Sequence, residues 1–417
     1  MMTSNTECFV YIMLPGQTEF TTAGRLVMDR TRQGQPLGKF IYGRRYRENP
    51  AAVPIDPIEL KIAQTTYETQ SLKGLFGALR DASPDYWGRR VIERHTKSAA
   101  LSELDYLLHS PDDRAGALGF GLNPEPPAPL RQYNRTMDLE KLQTIADAII
   151  ADEEIPQDDP DAQQAHELMG GTSMGGARPK AVVEDDEGLW IAKFNRDDDK
   201  WDFAKIERTM LLLASECGIR SAASKRITIG DRDALLVKRF DREKADDGYR
   251  RARMLSALTL LRADESEREK WSYVVLAEEL RRLSSQPRED APELFRRMVF
   301  NALTTNDDDH PRNHAVIAMN EDWRLSPAYD LTPSTPISTT NGELAMQCGD
   351  QGRFANANNL LSQCRRFHVE PEQAVKIIDE IEQIVKTRWH AIARAEGVTE
   401  QDCERISGAF AYQGFRA

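Results

Sequence analysis

The chain has 417 residues, a formal net charge of -12 at pH 7, and 40% hydrophobic and 29% charged residues. This length is enough for two or three domains, and the acidic balance argues against a nucleic-acid-binding surface that covers the whole chain. We expect neither a membrane-spanning helix nor a signal peptide, because the sequence has no apolar run of sufficient length and begins with mostly polar residues.

The chain contains five cysteines, an odd number, and no two of them are spaced as in a CxxC motif. Such usage is typical of a reduced protein and favours neither a zinc knuckle nor a disulfide framework. We therefore predict a cytoplasmic protein.

Residues 8–60 are predicted to be rich in β-strand, because short apolar, β-prone runs alternate with turn residues. Residues 72–121 are predicted to be mainly helical. One helix would begin near Ser83, with this residue as its N-terminal cap and Pro84 in the first helical position. A Pro-rich stretch over residues 124–129 indicates a linker or a surface crossing.

A glycine-rich stretch over residues 170–180 precedes a predicted β-hairpin whose second strand carries Lys193. Such a loop can close over a nucleotide, with its backbone N–H groups and the lysine meeting the phosphates. The stretch is not a Walker A loop, because the chain lacks the GxxxxGK[ST] pattern. A mobile surface turn is an equally good interpretation of this stretch by itself.

The next predicted elements are a helix over residues 203–217 and an apolar strand over residues 234–241. Glu207 lies on the apolar side of the helical wheel and is a candidate partner for Lys193, although an outward-facing side chain fits equally well. The strand ends in a polar turn and suits a hinge whose backbone hydrogen-bonds adenine. A buried strand without any ligand contact is the alternative.

The most informative stretch, residues 305–314, contains three Asp and two His around a proline and follows a predicted buried helix over residues 294–303. Asp and Asn near a proline favour a loop, and clustered acids repel one another unless a cation or a reacting group needs them. An Asp, an Asn five residues later and a further Asp after an apolar stretch suit a magnesium–phosphate site, in which the first Asp deprotonates a hydroxyl. A solvated loop that caps the helix is the alternative.

These parts occur in the order found in protein kinases: glycine loop, strand lysine, helix, strand, acidic loop and late Asp. Taken together, the sequence resembles the HipA family of bacterial toxin–antitoxin serine/threonine kinases over nearly its whole length. In the N-terminal part the resemblance rests on the segments Leu14–Gln17, Phe40–Gly43, Ile55–Pro57, Pro84–Gly88 and Asp112–Leu118. In the rest of the chain it rests on Ser173–Lys180, Lys193, Lys238–Phe240, Asp308–His314 and Tyr329–Asp330.

The resemblance implies roles for individual residues. Asp308 would be the catalytic base; we choose it among the three consecutive Asp because it stands two residues before His310 and five before Asn313. Asn313 and Asp330 would bind Mg²⁺, and Ser173 would be a site of self-phosphorylation that switches the kinase off. The residues implied in ATP binding are Gly175, Gly176, Ala177, Arg178, Pro179, Lys180, Lys193, Lys238, Arg239, Phe240, His310, Pro311, Arg312, Asn313, Tyr329 and Asp330.

The resemblance also implies a fold and partners. We expect an α+β, two-lobed, protein-kinase-like (HipA-like) fold with a β-rich N-terminal lobe and an all-helical C-terminal lobe. The predicted domains are a β-rich subdomain over residues 1–123, the nucleotide-binding part of the N-terminal lobe over 124–245, and a helical lobe over 246–417. The cofactors would be ATP and Mg²⁺. The partners would be a helix-turn-helix antitoxin of the HipB type, operator DNA mainly through that antitoxin, and a protein substrate such as an aminoacyl-tRNA synthetase.

Two other functions fit parts of the sequence. One is a metal-dependent phosphohydrolase built on Asp307–Asp309, His310 and His314, which would need no glycine loop. The other is a catalytically silent partner of a DNA-binding repressor. The complete set of catalytic and metal-binding residues argues against this second alternative.

Overall fold

The structure is a computed structural model and describes residues 6–98, 100–131, 133–135, 138–151, 176, 178–334 and 342–416. Its strands are β1 (Glu7–Met13), β2 (Phe20–Arg30), β3 (Pro36–Tyr42), β4 (Thr66–Thr69), β5 (Leu118–Gly121), β6 (Asn134–Arg135), β7 (Lys180–Asp185), β8 (Gly188–Phe194), β9 (Ser224–Ile229), β10 (Arg232–Lys238), β11 (Arg242–Ala245), β12 (Gly248–Arg251), β13 (Arg253–Ser256), β14 (Ala315–Ala318) and β15 (Arg324–Leu325).

Its α-helices are α1 (Arg44–Arg47), α2 (Gly77–Asp81), α3 (Tyr86–Thr96), α4 (Glu103–His109), α5 (Leu139–Ile150), α6 (Phe203–Glu216), α7 (Ala257–Leu260), α8 (Tyr273–Leu283), α9 (Pro287–Leu303), α10 (Ala357–Ser362), α11 (Pro371–Ala395) and α12 (Glu400–Ile406). Short 3-10 helices occupy Ser71–Gly74, Arg268–Lys270, Pro311–Asn313, Cys364–Phe367, Ser407–Ala409 and Gln413–Arg416. None of the helices in the described ranges combines the length and apolar character needed to cross a membrane.

The chain divides into two compact units, each assembled from three separate segments. Unit 1 consists of Met1–Phe194, Arg239–Leu255 and Ile317–Asp322. Unit 2 consists of Asn195–Lys238, Ser256–Val316 and Trp323–Ala417. The three domains predicted along the chain, with boundaries after residues 123 and 245, stay a prediction.

The first part of unit 1 is an antiparallel sheet in the order β4-β3-β2-β1-β5. Most residues of β1 are buried, and the strand is paired on both sides, which accounts for its continuous apolar run. Gly24 on β2 allows close packing, because an added Cβ would come within 2.3 Å of the Ile41 carbonyl oxygen. The prediction that residues 8–60 are rich in β-strand is confirmed.

The helices of unit 1 follow this sheet, and one of them begins differently from the sequence prediction. Helix α3 begins at Tyr86, and its N-cap is Asp85, whose side chain accepts a hydrogen bond from the Gly88 N–H at 2.9 Å. Ser83 is therefore not the cap. Both residue types are good caps, and Asp85 is the one whose carboxylate reaches the first helical turn.

The predicted hairpin after the glycine-rich stretch is confirmed as β7 and β8, which pair antiparallel. The turn between them ends at Gly188, whose φ of +123° is a conformation that favours glycine. Strand β6 runs parallel to β7. The apolar residues of this hairpin pack in a core with two tyrosines; its members are Tyr133, Val182, Leu189, Ile191 and Tyr249.

A cluster of buried charges lies elsewhere in unit 1. Arg239 donates to both carboxylate oxygens of Asp241, at 3.0 and 2.9 Å, and also to Asp113. Arg242 donates to Asp241 at 2.7 Å, and all four of these side chains are at most 1% exposed. Burial alone would raise the pKa of Asp241, but the two guanidinium groups outweigh it and hold that pKa well below its ordinary value.

Unit 2 is built mainly from helices. Helix α11 packs on α6 and α9, and α9 also packs on α8. The stripe of apolar residues at helical spacing in α11 predicts this burial, and its members Ala374, Ile377, Ile378, Ile381 and Val385 are buried. The antiparallel strands β9 and β10 also belong to unit 2, and α6 packs against both.

The prediction of an all-helical C-terminal lobe needs one correction. Residues 246–417 contain the short strands β12, β13, β14 and β15. Apolar runs of four residues, such as that of β14, are too short to show a helical or a strand period, so sequence pattern alone does not identify them.

Asp56 of unit 1 gives a prediction about stability and pH. Its side chain is fully buried, one oxygen accepts from the Ile58 and Glu59 N–H groups, and the other has no partner in the described chain. Burial raises the pKa of Asp56 from 3.8 to about 6. Because the folded pKa is the higher one, the carboxyl costs little below pH 4, its ionisation destabilises the fold increasingly between about pH 4 and pH 6, and the cost stays constant at higher pH.

Replacing Asp56 with Asn keeps the accepting oxygen and removes the charge. We expect the free energy of unfolding at pH 7 to rise by up to about 3 kcal/mol relative to wild type, with little or no gain at pH 4. Urea unfolding of both proteins at the two pH values measures this difference. An equal difference at pH 4 and pH 7 would contradict the prediction.

Candidate active site

The acidic loop begins where α9 ends. The Thr304 hydroxyl donates to the Phe300 carbonyl at 2.8 Å, and the Asn306 N–H donates to the Asn301 carbonyl at 2.9 Å. Between them Thr305 adopts a left-handed conformation with φ of +49°, which turns the chain away from the helix axis. The first residues of the loop are therefore fixed to a buried helix.

Asp309 points into unit 2. It is 1% exposed, and one of its oxygens accepts hydrogen bonds from the Tyr273 hydroxyl and from His314 Nε2, the latter at 2.6 Å. The Asn301 amide in turn donates to the Tyr273 hydroxyl at 3.3 Å. Burial and the charge of Asp309 raise the pKa of Tyr273 well above its ordinary value, so the tyrosine stays a neutral donor. Asp309 is an internal anchor of the loop.

Asp307 and Asp308 face the solvent. Asp307 accepts a hydrogen bond from the Ser334 hydroxyl, whereas no hydrogen bond to the Asp308 carboxylate is found among the described residues. The three consecutive acids thus have three different environments. An exposed carboxylate without a hydrogen-bond donor is suited to receive the proton of an incoming hydroxyl, and Asp308 meets this requirement.

The surroundings of Asp308 raise its pKa above the ordinary value of 3.8. The largest cause is the partial withdrawal of the carboxylate from water by the loop around it. His310 acts in the opposite direction, and the negative charges of Asp330, Asp307 and Asp309 raise the pKa further. A carboxylate with a raised pKa is a stronger proton acceptor at neutral pH.

Asn313 has an oxygen that the protein leaves unsatisfied. Its Nδ2 donates to the Asp308 backbone carbonyl at 3.1 Å, while its Oδ1 is buried and has no hydrogen-bond partner in the described part of the chain. A buried amide oxygen without a partner is costly, and a hard cation would satisfy it. Asp330 lies near enough to influence the pKa of Asp308 and has a left-handed φ of +58°. These two oxygen donors fit the predicted Mg²⁺.

The segment that carries the late Asp is held by backbone contacts. The Tyr329 hydroxyl donates to the Arg312 carbonyl at 2.8 Å and connects this segment to the acidic loop. The Ala328 N–H donates to the Arg220 carbonyl at 2.7 Å, and the Ala222 N–H donates to the Ala328 carbonyl at 2.8 Å. This short parallel bridge fixes the residues just before the predicted metal ligand.

Sequence reasoning missed a buried carboxylate that supports the same segment. Asp290 in the first turn of α9 accepts hydrogen bonds from Arg220, Arg324, Ser284 and the Leu325 N–H. Burial would raise the pKa of Asp290, but the donors, with Arg324 first among them, outweigh it and lower that pKa. An acid in a first helical turn predicts a helix start, and nothing in its sequence neighbourhood indicates this network.

The middle of the acidic loop is a single 3-10 turn over Pro311–Asn313. Arg312 pairs with Glu265 at 2.7 Å, and the His310 ring lies edge-on to Trp271 with 6.5 Å between the ring centroids. No described contact tests the part of His310, Pro311 or Arg312 in ATP binding, which stays a prediction.

The predicted glycine-loop residues belong to unit 1 and are only partly described. Ser173, Gly175 and Ala177 lie outside the described residues. At the end of the loop the Phe194 N–H donates to the Pro179 carbonyl at 3.1 Å, which joins Pro179 to β8. The phosphate contacts predicted for this loop stay predictions.

Two predicted nucleotide-binding lysines stand opposite each other in the hairpin, since Lys180 of β7 pairs with Lys193 of β8. Lys180 is 2% exposed, and its Nζ donates to Asp85 at 2.8 Å and to the Gly176 carbonyl at 3.2 Å. Lys193 is half-buried, as is Arg178 at the end of the loop. Sequence reasoning did not connect Lys180 with Asp85.

The predicted hinge residues have different environments. Lys238 is half-buried at the end of β10, and its N–H donates to the Ala223 carbonyl at 2.8 Å. The Arg239 N–H donates to the Leu189 carbonyl at 2.9 Å, and its side chain belongs to the buried charge cluster of unit 1. Phe240 is half-buried. Arg239 therefore has only main-chain atoms to offer a nucleotide.

Glu207 on α6 is 4% exposed, so the inward-facing orientation is confirmed over the outward-facing one. Its pairing with Lys193 stays a prediction. The cysteines Cys8, Cys217, Cys348, Cys364 and Cys403 are all buried free thiols.

The phosphohydrolase alternative requires several acids and histidines around one metal ion. Within the described ranges, no three His, Cys, Asp or Glu side chains are placed so that they could hold one. Asp307 and Asp309 are engaged by Ser334 and by Tyr273 with His314, respectively. The acidic loop as folded gives no support to a metal centre of that kind.

Comparisons with known proteins concern the fold and the family of the chain. A structure described as the Shewanella oneidensis MR-1 toxin–antitoxin system HipA, HipB and its operator DNA complex aligns with 96% of this chain and 94% of its own, with a TM-score of 0.68 and 16% identity. At that identity the likeness shows the fold alone. A Helicobacter pylori proinflammatory kinase, CtkA, aligns over 56% of this chain and 92% of its own with a TM-score of 0.38 and 14% identity.

A sequence relative from Sinorhizobium fredii, named "Putative kinase Y4mE", is 25% identical over 154 residues. The match covers 36% of this chain and 37% of the relative, so the chain spans little more than a third of that protein's length.

The fold is a mixed helix-and-strand, two-lobed fold of the kinase-like type, which confirms the fold class predicted from the sequence. Residues 172–389, slightly more than half of the chain, match the family model of the HipA-like C-terminal domain. The chain belongs to this family, and the resemblance drawn from its motifs is confirmed.

Proposed function

We propose that this protein is an ATP-dependent serine/threonine kinase of the HipA type and the toxin component of a type II toxin–antitoxin module. The observation that carries the proposal is the division of roles in the acidic loop: Asp308 is exposed near Asn313 and Asp330, whereas Asp309 is held inside. Membership of the HipA-like family and the relative named as a kinase support the same reaction.

In the proposed reaction the oxygen of a Ser or Thr hydroxyl attacks the γ-phosphorus of ATP. The bond from that phosphorus to the β–γ bridging oxygen breaks, so that ADP leaves, and Asp308 accepts the hydroxyl proton. Asn313 Oδ1 and the Asp330 carboxylate would hold Mg²⁺, which when bound neutralises negative charge on the phosphates. Lys193 and residues 175–180 would hold the phosphates, and the backbone of residues 238–240 would meet the adenine.

Incubation with labelled ATP and a lysate of the host, followed by mapping of the labelled residues, tests this proposal. We expect label on Ser or Thr of one or a few proteins, with an aminoacyl-tRNA synthetase as the expected class of target. Release of free phosphate without protein-bound label would favour the phosphohydrolase instead. The absence of both would favour the catalytically silent alternative.

Replacing Asp330 with Ala is expected to weaken the binding of ATP in the presence of Mg²⁺ by about 10- to 100-fold. The reason is that Asn313 alone offers a neutral ligand to an ion that prefers carboxylate oxygen. Calorimetric titration with and without Mg²⁺ measures the effect, and Asp322→Ala, which removes an exposed acid of unit 1, is the control. Wild-type affinity with wild-type magnesium dependence would count against a metal role for Asp330.

Self-phosphorylation on Ser173 is a further part of the proposal, and this residue lies outside the described structure. Four glycines, Gly170, Gly171, Gly175 and Gly176, surround it in the sequence, and glycine places few restrictions on backbone conformation. A phosphate there adds about -1.5 to -2 charge where the loop would meet the phosphates of ATP, so repulsion should switch the kinase off.

Mass spectrometry of protein expressed with and without Asp308→Asn checks the Ser173 proposal. We expect phosphate on Ser173 in the active protein and none in the variant. Active protein without this phosphate, or phosphorylated protein that still binds ATP and turns over normally, would contradict it.

The proposed partner is a helix-turn-helix antitoxin of the HipB type, with operator DNA contacted mainly through that antitoxin. The Shewanella structure of similar fold is described as a complex of HipA with HipB and operator DNA, which supports this proposal. The acidic net charge of -12 also favours DNA contact through a partner. A reduced, cytoplasmic location completes the proposal and suits the five free thiols.

A further inference from the structure

A buried ion pair in unit 1 involves Lys180, which the family resemblance places among the phosphate-binding residues 175–180. Lys180 Nζ lies 2.8 Å from an Asp85 carboxylate oxygen, and the two side chains are 2% and 6% exposed. The two residues come from different elements, because Asp85 precedes α3 and Lys180 begins β7. Buried charges are rarely retained without a partner, and here each is the other's partner.

Each member of the pair also holds a backbone group. The second oxygen of Asp85 accepts from the Gly88 N–H at 2.9 Å and caps α3. Lys180 Nζ donates to the Gly176 carbonyl at 3.2 Å. Gly176 has φ of +100°, and an added Cβ would lie 3.1 Å from that ammonium group. The lysine therefore fixes one carbonyl of the glycine loop to the start of a helix in the N-terminal part of the chain.

The pair also separates the roles of two lysines. Lys180 and Lys193 are directly opposite on neighbouring antiparallel strands, so their side chains leave the same face of the hairpin. Like charges in such positions repel each other. Asp85 neutralises the charge of Lys180, and Lys193 is the more exposed of the two lysines.

We propose that Asp85 and Lys180 are positioning residues for nucleotide binding, and that Lys180 is not itself a phosphate ligand. The pair holds Gly176 in the backbone conformation that nucleotide binding uses, so Asp85, a residue of the N-terminal part of the chain, contributes indirectly to the nucleotide site. This inference rests on the proposed kinase function. If Lys180 itself bound a phosphate, Asp85 would compete with ATP for its ammonium group, and removing Asp85 would strengthen ATP binding. The positioning role predicts the opposite, that removing Asp85 weakens ATP binding.

The test measures ATP affinity by calorimetry and the KM for ATP separately from kcat in the full-length protein. Asp85→Asn keeps the capping oxygen and removes the charge, and Asp85→Ser keeps a good cap but is too short to reach Lys180. We expect both variants to weaken ATP binding and raise KM, with a loss in kcat/KM of about 10²-fold. Lys180→Met should do the same, and Lys180→Arg should recover part of the loss.

Asp105→Asn is the matched control, because Asp105 takes part in the capping of α4 without an ion pair of this kind among the described residues. It should leave KM at the wild-type value.

A merely structural role for Asp85 would lower the folded fraction, measured by circular dichroism, with KM unchanged, and this would overturn the inference. Tighter or unchanged ATP binding by the two Asp85 variants would also overturn it, while leaving the kinase proposal intact. A wild-type protein that binds no ATP would overturn both.

Discussion

Replacing Asp308 with Asn is expected to reduce phosphoryl transfer by roughly 10²–10⁴-fold while ATP still binds. The variant has nearly the same shape but cannot accept the hydroxyl proton. The effect of the replacement on ATP affinity should be small. It removes a negative charge, but it leaves every proposed phosphate and metal contact in place. Turnover of a labelled substrate and calorimetric binding, measured on the same preparation, check both statements.

Asp307→Asn is the matched control for this experiment. Asp307 is the adjacent exposed acid, and its carboxylate accepts a hydrogen bond from Ser334. We expect this variant to turn over at close to the wild-type rate. Undiminished turnover by Asp308→Asn would contradict the assignment of Asp308 as the base. An equal loss of turnover in both variants would favour the phosphohydrolase arrangement.

The acidic side of the pH–rate profile offers a second readout for Asp308. Its pKa is raised above 3.8, chiefly by partial burial and then by Asp330 and the neighbouring acids. A base must be ionised to accept a proton, so activity should be lost as the pH falls through this raised value, at a higher pH than for an ordinary Asp. The corresponding limb should be absent from the residual activity of Asp308→Asn.

Local patterns in the sequence predicted the elements whose signal is local. The apolar run of β1 and the apolar stripe of α11 each specify one buried face within a few residues of sequence. The start of α3 was predicted wrongly, because Ser83 and Asp85 are both acceptable caps under local rules. The structure selects Asp85, whose second oxygen meets Lys180, 95 residues later in the chain.

In the candidate site, too, local sequence predicts some features, and others depend on residues that are distant in the chain. Spacing within the acidic loop indicates a carboxylate, an amide and a late carboxylate, but it does not distinguish three adjacent Asp. Asp309 differs from its neighbours because its carboxylate accepts a hydrogen bond from the buried Tyr273 hydroxyl, 36 residues earlier in the chain. Likewise, Arg239 belongs to the predicted hinge by sequence, and its burial depends on Asp113, which lies 126 residues away. Buried polar partners that are distant in sequence leave no periodic pattern.

The largest expected effect on stability belongs to Asp309→Ala. The substitution removes the acceptor for two buried donors, the Tyr273 hydroxyl and His314 Nε2, and His314 is itself 2% exposed. Leaving buried polar groups unpaired costs about 1–3 kcal/mol each, so we expect a loss of roughly 3–5 kcal/mol in the free energy of unfolding. Urea unfolding followed by circular dichroism measures this loss.

Two further variants show whether the loss comes from the unpaired donors. Asp307→Asn, at the exposed position two residues earlier, should change the free energy of unfolding by no more than about 0.5 kcal/mol. Tyr273→Phe combined with Asp309→Ala removes one of the stranded donors, so the double variant should be more stable than the sum of the two single losses predicts. Strictly additive losses would mean that Tyr273 and Asp309 stabilise unit 2 independently, and Asp309 would then not be the anchor that holds the acidic loop to Tyr273.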